Sequence, residues 1–174
     1  AISMDGRLAP PEGGAAQLGG EGDRRALEHA LAWADACLIG AGTLRAHQCT
    51  CLIRNVQLLE QRREEGRAEQ PAAVVVTRSP NFSSTWRFFD QPLQRWLLAP
   101  EPVDQGFDRW FPLAPTWPER LMALGEAGIQ RLVLLGGAQL SADLLQADCV
   151  DALQLTLVPQ LLGGCFSWLP CTDV

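Results

Sequence analysis

The sequence predicts an α/β fold, a three-layer, mostly parallel sheet with helices on both faces. Four short, continuous apolar segments carry that prediction: Ala36 to Ile39, Ala72 to Val76, Trp96 to Leu98 and Leu132 to Leu135. Each is bounded by Gly, Pro or charge, as strands covered on both faces are. Stretches with helical spacing and helix-start signals fall between them, and alternation of strand with helix implies parallel pairing in one sheet.

Taken in order, Ala1 to Met4 reads as an opening strand. Asp23 is placed to cap a helix whose Leu27, Ala30, Leu31 and Ala34 line one face. Asn55 is placed to cap a second, which runs through Leu58 and Leu59 and stops at Gly66. Thr116-Trp117-Pro118-Glu119 forms a capping box with Pro in the first turn, closed by Gly128. Ser141 starts or lies within a last helix that carries Leu144 and Leu145. Leu153 to Leu157 alternates strictly and suits a strand near an edge, with one wetter face. The Pro-, Trp- and Phe-rich stretch from Ser79 to Phe89 reads as a loop. Without internal repeat or low-complexity tract, residues 1–174 read as a single domain. The chain opens without an initiator Met and closes ten residues after Gly164, which leaves room for residues beyond either end.

Composition narrows the function. A chain of 174 residues is long enough to bury about two thirds of its unfolded surface. With 47% hydrophobic and 20% charged residues it is neither disordered nor membrane-like. No apolar run approaches the roughly 20 residues needed to cross a bilayer, and no basic, apolar leader is present, so a cytoplasmic protein is expected. A net charge of −6 argues against a nucleic-acid partner. All fourteen basic residues are Arg, a side chain suited to phosphate, although most are expected on the solvated surface. The six cysteines form no CxxC pair. Cys49-Thr50-Cys51 beside His47 lacks a second ligand pair, so reduced thiols and no metal site are expected.

Open α/β sheets bind ligands at the carboxyl ends of their strands. Three such ends carry residues suited to phosphate. Gly40-Ala41-Gly42-Thr43 follows the strand ending at Ile39; glycines allow close backbone approach, a helix start offers free N–H groups, and Thr43 adds a hydroxyl. Leu135-Gly136-Gly137-Ala138 repeats that arrangement. Thr77-Arg78-Ser79 flanks a guanidinium with two hydroxyls, as a 2′-phosphate requires. Each glycine turn taken singly also fits a tight strand-to-helix turn, and neither is the GxGxxG fingerprint. Together the three strand ends point to a dinucleotide cleft.

Four landmarks in order carry a family resemblance: Ser3-Met4-Asp5-Gly6-Arg7; Trp33-Ala34-Asp35-Ala36 with Gly40 to Ala46; Gly136 to Leu140; and Val150 to Leu153 with Val158 to Gly164. The chain resembles the reductase domain of the bifunctional riboflavin-biosynthesis deaminase/reductase, whose fold is dihydrofolate-reductase-like. The resemblance implies an NADPH-dependent reductase acting on 5-amino-6-(5-phosphoribosylamino)uracil, with hydride passing to C1 of a ring-opened ribose to leave a ribityl chain. It implies that Gly40, Gly42, Thr43, Gly136, Gly137 and Ala138 hold the pyrophosphate and that Thr77, Arg78 and Ser79 meet the 2′-phosphate. Ser3 and Asp5 would border the substrate. Arg45 and Arg54 are read as substrate-binding candidates that compensate for groups the family has and this chain lacks. Asp5 and His47 are the catalytic candidates, His47 in place of a missing acid. A homodimer is also implied. The substrate side departs from the family: Gln17-Leu18 replaces a Trp-Ile-Thr/Ser segment, Leu31 an Arg, His47-Gln48-Cys49 an Asp-Asn-Pro, and Leu135 a Glu. Polar pocket groups decide which polar substrate is accepted. Two alternatives therefore stay open: an NADPH-dependent reductase of another small carbonyl or imine, and a non-catalytic nucleotide-binding relative.

Overall fold

The computed structural model describes residues 1–14, 18–103 and 106–169; Gln17 and Cys171 lie outside them. Five strands make one sheet: β2 (Ala36–Gly40), β3 (Ala72–Val76), β4 (Arg95–Ala99), β5 (Arg109–Pro112) and β6 (Leu132–Leu134). Their order is β5-β4-β3-β2-β6, and every pairing is parallel. All four strands predicted as buried are present, but only β2, β3 and β4 are inner; β6 lies at an edge and is half-buried. The unpredicted β5 lies at an edge, largely exposed and ending in Pro112, so it carries no continuous apolar run for a sequence pattern to reveal.

Because strand side chains alternate faces, each central strand feeds two cores. Cys37, Ile39, Ala73, Val75 and Leu97 pack against Leu31, Leu44, Leu58 and Phe88 on one side. Ala36, Leu38, Val74, Trp96 and Leu98 pack against Trp117, Leu124, Leu140 and Leu144 on the other. The first layer is built from α1 (Glu21–Trp33), α2 (Ala41–His47) and α3 (Val56–Glu64), the second from α4 (Trp117–Glu126) and α5 (Ala138–Gln146). The three predicted layers are thus realised.

The helix starts follow local chemistry. Asn55 Oδ1 accepts the N–H groups of Gln57 and Leu58 at 2.9 and 3.4 Å, and Thr116 and Glu119 form the predicted capping box. Asp23 does not cap α1. The helix begins two residues earlier behind Gly20, leaving Asp23 in the first turn, where the helix dipole still favours an acid. Ser141 lies inside α5.

The C-terminal segment departs most from expectation. The opening strand β1 (Ile2–Ser3) pairs in parallel with β7 (Leu157–Val158) in a separate two-stranded sheet. Leu153 to Thr156 form no strand, and Leu153, Leu155 and Leu157 are 57%, 42% and 65% exposed. Alternation identifies residues that share a face, but not whether another layer covers that face.

At the opposite end of the sheet two arginines seal α1. The buried Arg62 guanidinium donates to the carbonyls of Ala32, Ala34 and Ala68 at 2.8, 2.7 and 2.7 Å. Arg67 donates to Ala32 and Trp33, both at 2.9 Å. The bonds to Ala32, Trp33 and Ala34 satisfy carbonyls that the end of α1 leaves without partners. Burial first, and then the neighbouring Arg67, push Arg62 down to about 10, so it stays charged at neutral pH. Asp35 accepts the N–H groups of Gln130 and Arg131 at 3.0 and 2.9 Å, which joins the starts of β2 and β6. Arg62→Met is expected to cost roughly 2–4 kcal/mol by stranding buried carbonyls, a fall in Tm of about 5–15 °C for a domain of this size. An unchanged thermal melt would contradict that role.

Candidate active site

The strand order creates a crevice. From β2 the chain steps outward through β3, β4 and β5, then returns to lay β6 on the other side of β2. The helices that follow β2 and β6 therefore leave towards opposite faces. In open parallel sheets, ligands bind outside the carboxyl ends at such a reversal.

Both glycine-bearing turns lie there and touch. The Gly40 N–H donates to the Gly136 carbonyl at 2.9 Å. A Cβ added to Gly40 would lie 3.5 Å from the Gly137 nitrogen, and one added to Gly137 would lie 2.7 Å from Thr43 Oγ1. Gly136 adopts φ +96°, a conformation that side-chain-bearing residues rarely enter. Gly40 and Gly137 precede α2 and α5 and neither supplies a side-chain cap. The Thr43 hydroxyl thus stands beside the start of α5, whose first N–H groups suit a diphosphate.

The third predicted turn is tied to this pair. Thr77 is buried, and its Oγ1 donates to the Ser79 carbonyl at 2.9 Å while accepting the Ser79 N–H at 3.0 Å. Arg45, expected at the substrate, instead donates from Nη2 to the same Ser79 carbonyl at 2.9 Å. Arg78 is exposed. Arg120, which sequence reasoning did not single out, stacks on Trp117 at 4.7 Å. Burial first, and then the charge of Arg78, lower its pKa. Asp143 and Glu119 act on Arg120 in the opposite sense. Arg78 and Arg120 stand 42 positions apart in the chain, so no local motif signals the pairing.

The opening turn is internally committed. Ser3 is fully buried; its hydroxyl donates to Asp5 at 2.6 Å and accepts the Arg7 N–H at 2.8 Å. The Asp5 carboxylate also accepts the N–H groups of Leu162 and Gly163 at 3.1 and 2.7 Å. The Ser3 hydroxyl and these two N–H groups hold Asp5 down to about 2. At neutral pH it joins two chain segments as a carboxylate and carries no proton to donate. His47 is exposed in the last turn of α2. Among the described residues no three His, Cys, Asp or Glu side chains are grouped to hold a metal.

Arg54 stands apart from the paired turns. It lines a cleft of about 380 Å³ between α1 and α3, together with Arg24, Glu28, His29 and Asn55. Glu28 Oε2 accepts the N–H groups of Arg54 and Asn55 at 3.2 and 2.9 Å, fixing the backbone that carries Arg54. Sequence reasoning missed Arg24 and His29, although they lie on consecutive turns of α1.

The contact between the turns is testable through stability. Gly137→Ala forces the Thr43 hydroxyl to move and is expected to cost about 1–3 kcal/mol. Adding Thr43→Ala removes the opposing atom, so the double variant is expected to recover much of that loss in a thermal melt. Strict additivity of the two changes would show that they are not in contact.

Comparison with known proteins identifies the family. The model of the RibD C-terminal domain family matches residues 1–172. A 2,5-diamino-6-ribosylamino-4(3H)-pyrimidinone 5′-phosphate reductase of Archaeoglobus fulgidus is 25% identical, over 94% of this chain and 80% of its own length. The riboflavin biosynthesis protein RibD of Haemophilus influenzae is 29% identical, over 94% of this chain and 46% of its own. This chain thus spans about half the length of that RibD protein. A pyrimidine reductase-like protein of Corynebacterium diphtheriae superposes with a TM-score of 0.77 at 23% identity, over 92% of this chain and 72% of that one. That last likeness bears on the fold alone. By the family match over nearly its whole length, the chain belongs to the RibD C-terminal domain family.

Proposed function

We propose that this chain is an NADPH-dependent reductase of riboflavin biosynthesis, acting on 5-amino-6-(5-phosphoribosylamino)uracil. The observation that carries the reading is the joining of the β2 and β6 turns, with Gly40 bonded to Gly136 and Thr43 set against Gly137. An added Cβ at Gly137 would meet the Thr43 hydroxyl, so the two turns come this close only while position 137 lacks a side chain.

In this reading Gly40, Gly42, Thr43, Gly136, Gly137 and Ala138 hold the diphosphate. The exposed Arg78 and Ser79 receive the 2′-phosphate, whereas Thr77, also expected to contact it, is buried and spends its hydroxyl on Ser79, so it shapes the turn instead. The bound cofactor supplies a hydride, and the protein's part is to align donor and acceptor carbons. Arg54, with Arg24 and His29 in the same cleft, offers cationic and polar groups to a substrate phosphate. Ser3 and Asp5 shape the site by holding the opening turn against Leu162 and Gly163. The remaining proton-donor candidate is His47, whose imidazole can serve as an acid or a base.

Membership of the homodimer and a cytoplasmic setting belong to the same proposal. Leu153, Leu155, Leu157 and Leu161 offer an exposed apolar surface for a second copy. No helix among the described residues is long and apolar enough to cross a membrane.

A second reading, reduction of another small carbonyl or imine, is favoured by Leu31. That side chain is fully buried in the core and offers no charge where the family commonly places Arg. The two readings separate in one assay. NADPH oxidation is followed with the ribosylaminopyrimidine phosphate, and turnover is expected with a clear preference over NADH. Arg78→Ala is expected to raise the KM for NADPH by about tenfold, the loss of one charged hydrogen-bonding partner. Tight NADPH binding without turnover would replace the leading substrate with another carbonyl or imine. No binding of either nucleotide would leave a non-catalytic relative.

A further inference from the structure

We infer that Arg45 is a positioning residue for cofactor choice: it clamps the Thr77–Ser79 turn so that Arg78 and the Ser79 hydroxyl face the ligand. The inference rests on the NADPH reading above and adds a determinant that does not itself touch the 2′-phosphate.

The geometry follows from three contacts. Arg45 lies in the last turn of α2, yet its Nη2 stands 2.9 Å from the Ser79 carbonyl in the next crossover. Its Cζ lies 5.4 Å from the centre of the Phe82 ring. Phe82 in turn packs against Trp86 and Phe107 with ring centres 5.8 and 5.9 Å away. A planar guanidinium can stack on an aromatic ring and donate in its own plane at once, and an ammonium cannot. Arg45 therefore bridges the helix that starts at the diphosphate groove to an aromatic cluster under the third turn.

The consequence is a division of labour within that turn. Ser79 has its carbonyl committed to Arg45 and Thr77 and its N–H committed to Thr77. Among the described residues, the Arg78 guanidinium and the Ser79 hydroxyl have no hydrogen-bond partner, and both residues are exposed. They are the groups of the turn left for a ligand. Without Arg45 the exposed turn keeps its own Thr77 bonds but loses its attachment to α2. The array facing the 2′-phosphate then loses its fixed position relative to the diphosphate groove. NADH has no 2′-phosphate and is insensitive to that loss.

The test titrates NADPH and NADH separately, by quenching of tryptophan fluorescence, against the wild type and Arg45→Met, Arg45→Lys, Phe82→Leu and Arg78→Ala. Arg45→Met is expected to weaken NADPH by about three- to tenfold, the range of one side-chain hydrogen bond from a charged donor, and to leave NADH unchanged. Arg45→Lys, which keeps the charge and a donor but loses the flat stack, is expected to fall between. Phe82→Leu is expected to shift the NADPH:NADH ratio in the same direction while the charge at position 45 is intact. An unchanged ratio in Arg45→Met, or equal weakening of both nucleotides, overturns the inference. An unchanged ratio in Phe82→Leu also overturns it, because a bare charge effect would then suffice. Arg45→Lys and Phe82→Leu keep the question open to refutation if Arg45→Met does not fold. A wild type with no preference for NADPH defeats the cofactor reading itself. Preference lost in Arg78→Ala but kept in Arg45→Met defeats the Arg45 inference alone.

Discussion

The site depends on the pairing of β2 with β6. These strands are about a hundred residues apart in the chain but adjacent in the sheet, parallel and in fixed register from Ala36–Leu132 to Leu38–Leu134. Parallel pairing places the two carboxyl ends side by side, so the turns that follow must meet. The Gly40 N–H to Gly136 carbonyl bond is the last rung of that pairing. A slip of one residue would exchange the core-facing and opposite-facing side chains of β6 and would also separate the turns.

Register is held from both ends. At the amino end, the Asp35 carboxylate takes the Gln130 and Arg131 N–H groups and the Arg67 guanidinium. Arg62 and Arg67 close α1 against the same corner. At the carboxyl end the turns themselves interlock. Between them, both faces of the inner strands are buried by separate helical layers. Charges buried for structure thus gather at the amino end, while Arg78 and Arg120 gather at the carboxyl end near the crevice. Asp5 belongs with the structural charges: its bonds to Leu162 and Gly163 staple the two ends of the described chain together.

Much of this is legible in the sequence because it is local. The inner strands are continuous apolar runs, and the capping box at Thr116 and the cap at Asn55 are short patterns with their own chemistry. The glycine turns are legible as candidates, but their contact is not, since it requires the strand order. The amphipathic alternation of Leu153 to Leu157 is misleading for the same reason: it describes a face and says nothing of what lies opposite. Arg45 illustrates the limit at the site. Its position after a cofactor turn suggested the substrate, whereas the bond to Ser79 depends on where the β3 turn comes to rest. The grouping of Arg24, His29 and Arg54 similarly needs the packing of α1 beside the start of α3.

The most direct measurement is a crystal structure of the protein with the oxidised dinucleotide NADP bound. The joined-turn geometry predicts the diphosphate between the Thr43 hydroxyl and the first N–H groups of α5, with the 2′-phosphate at Arg78. A diphosphate seated in the cleft between α1 and α3, or one that reaches only one of the two glycine turns, would contradict it.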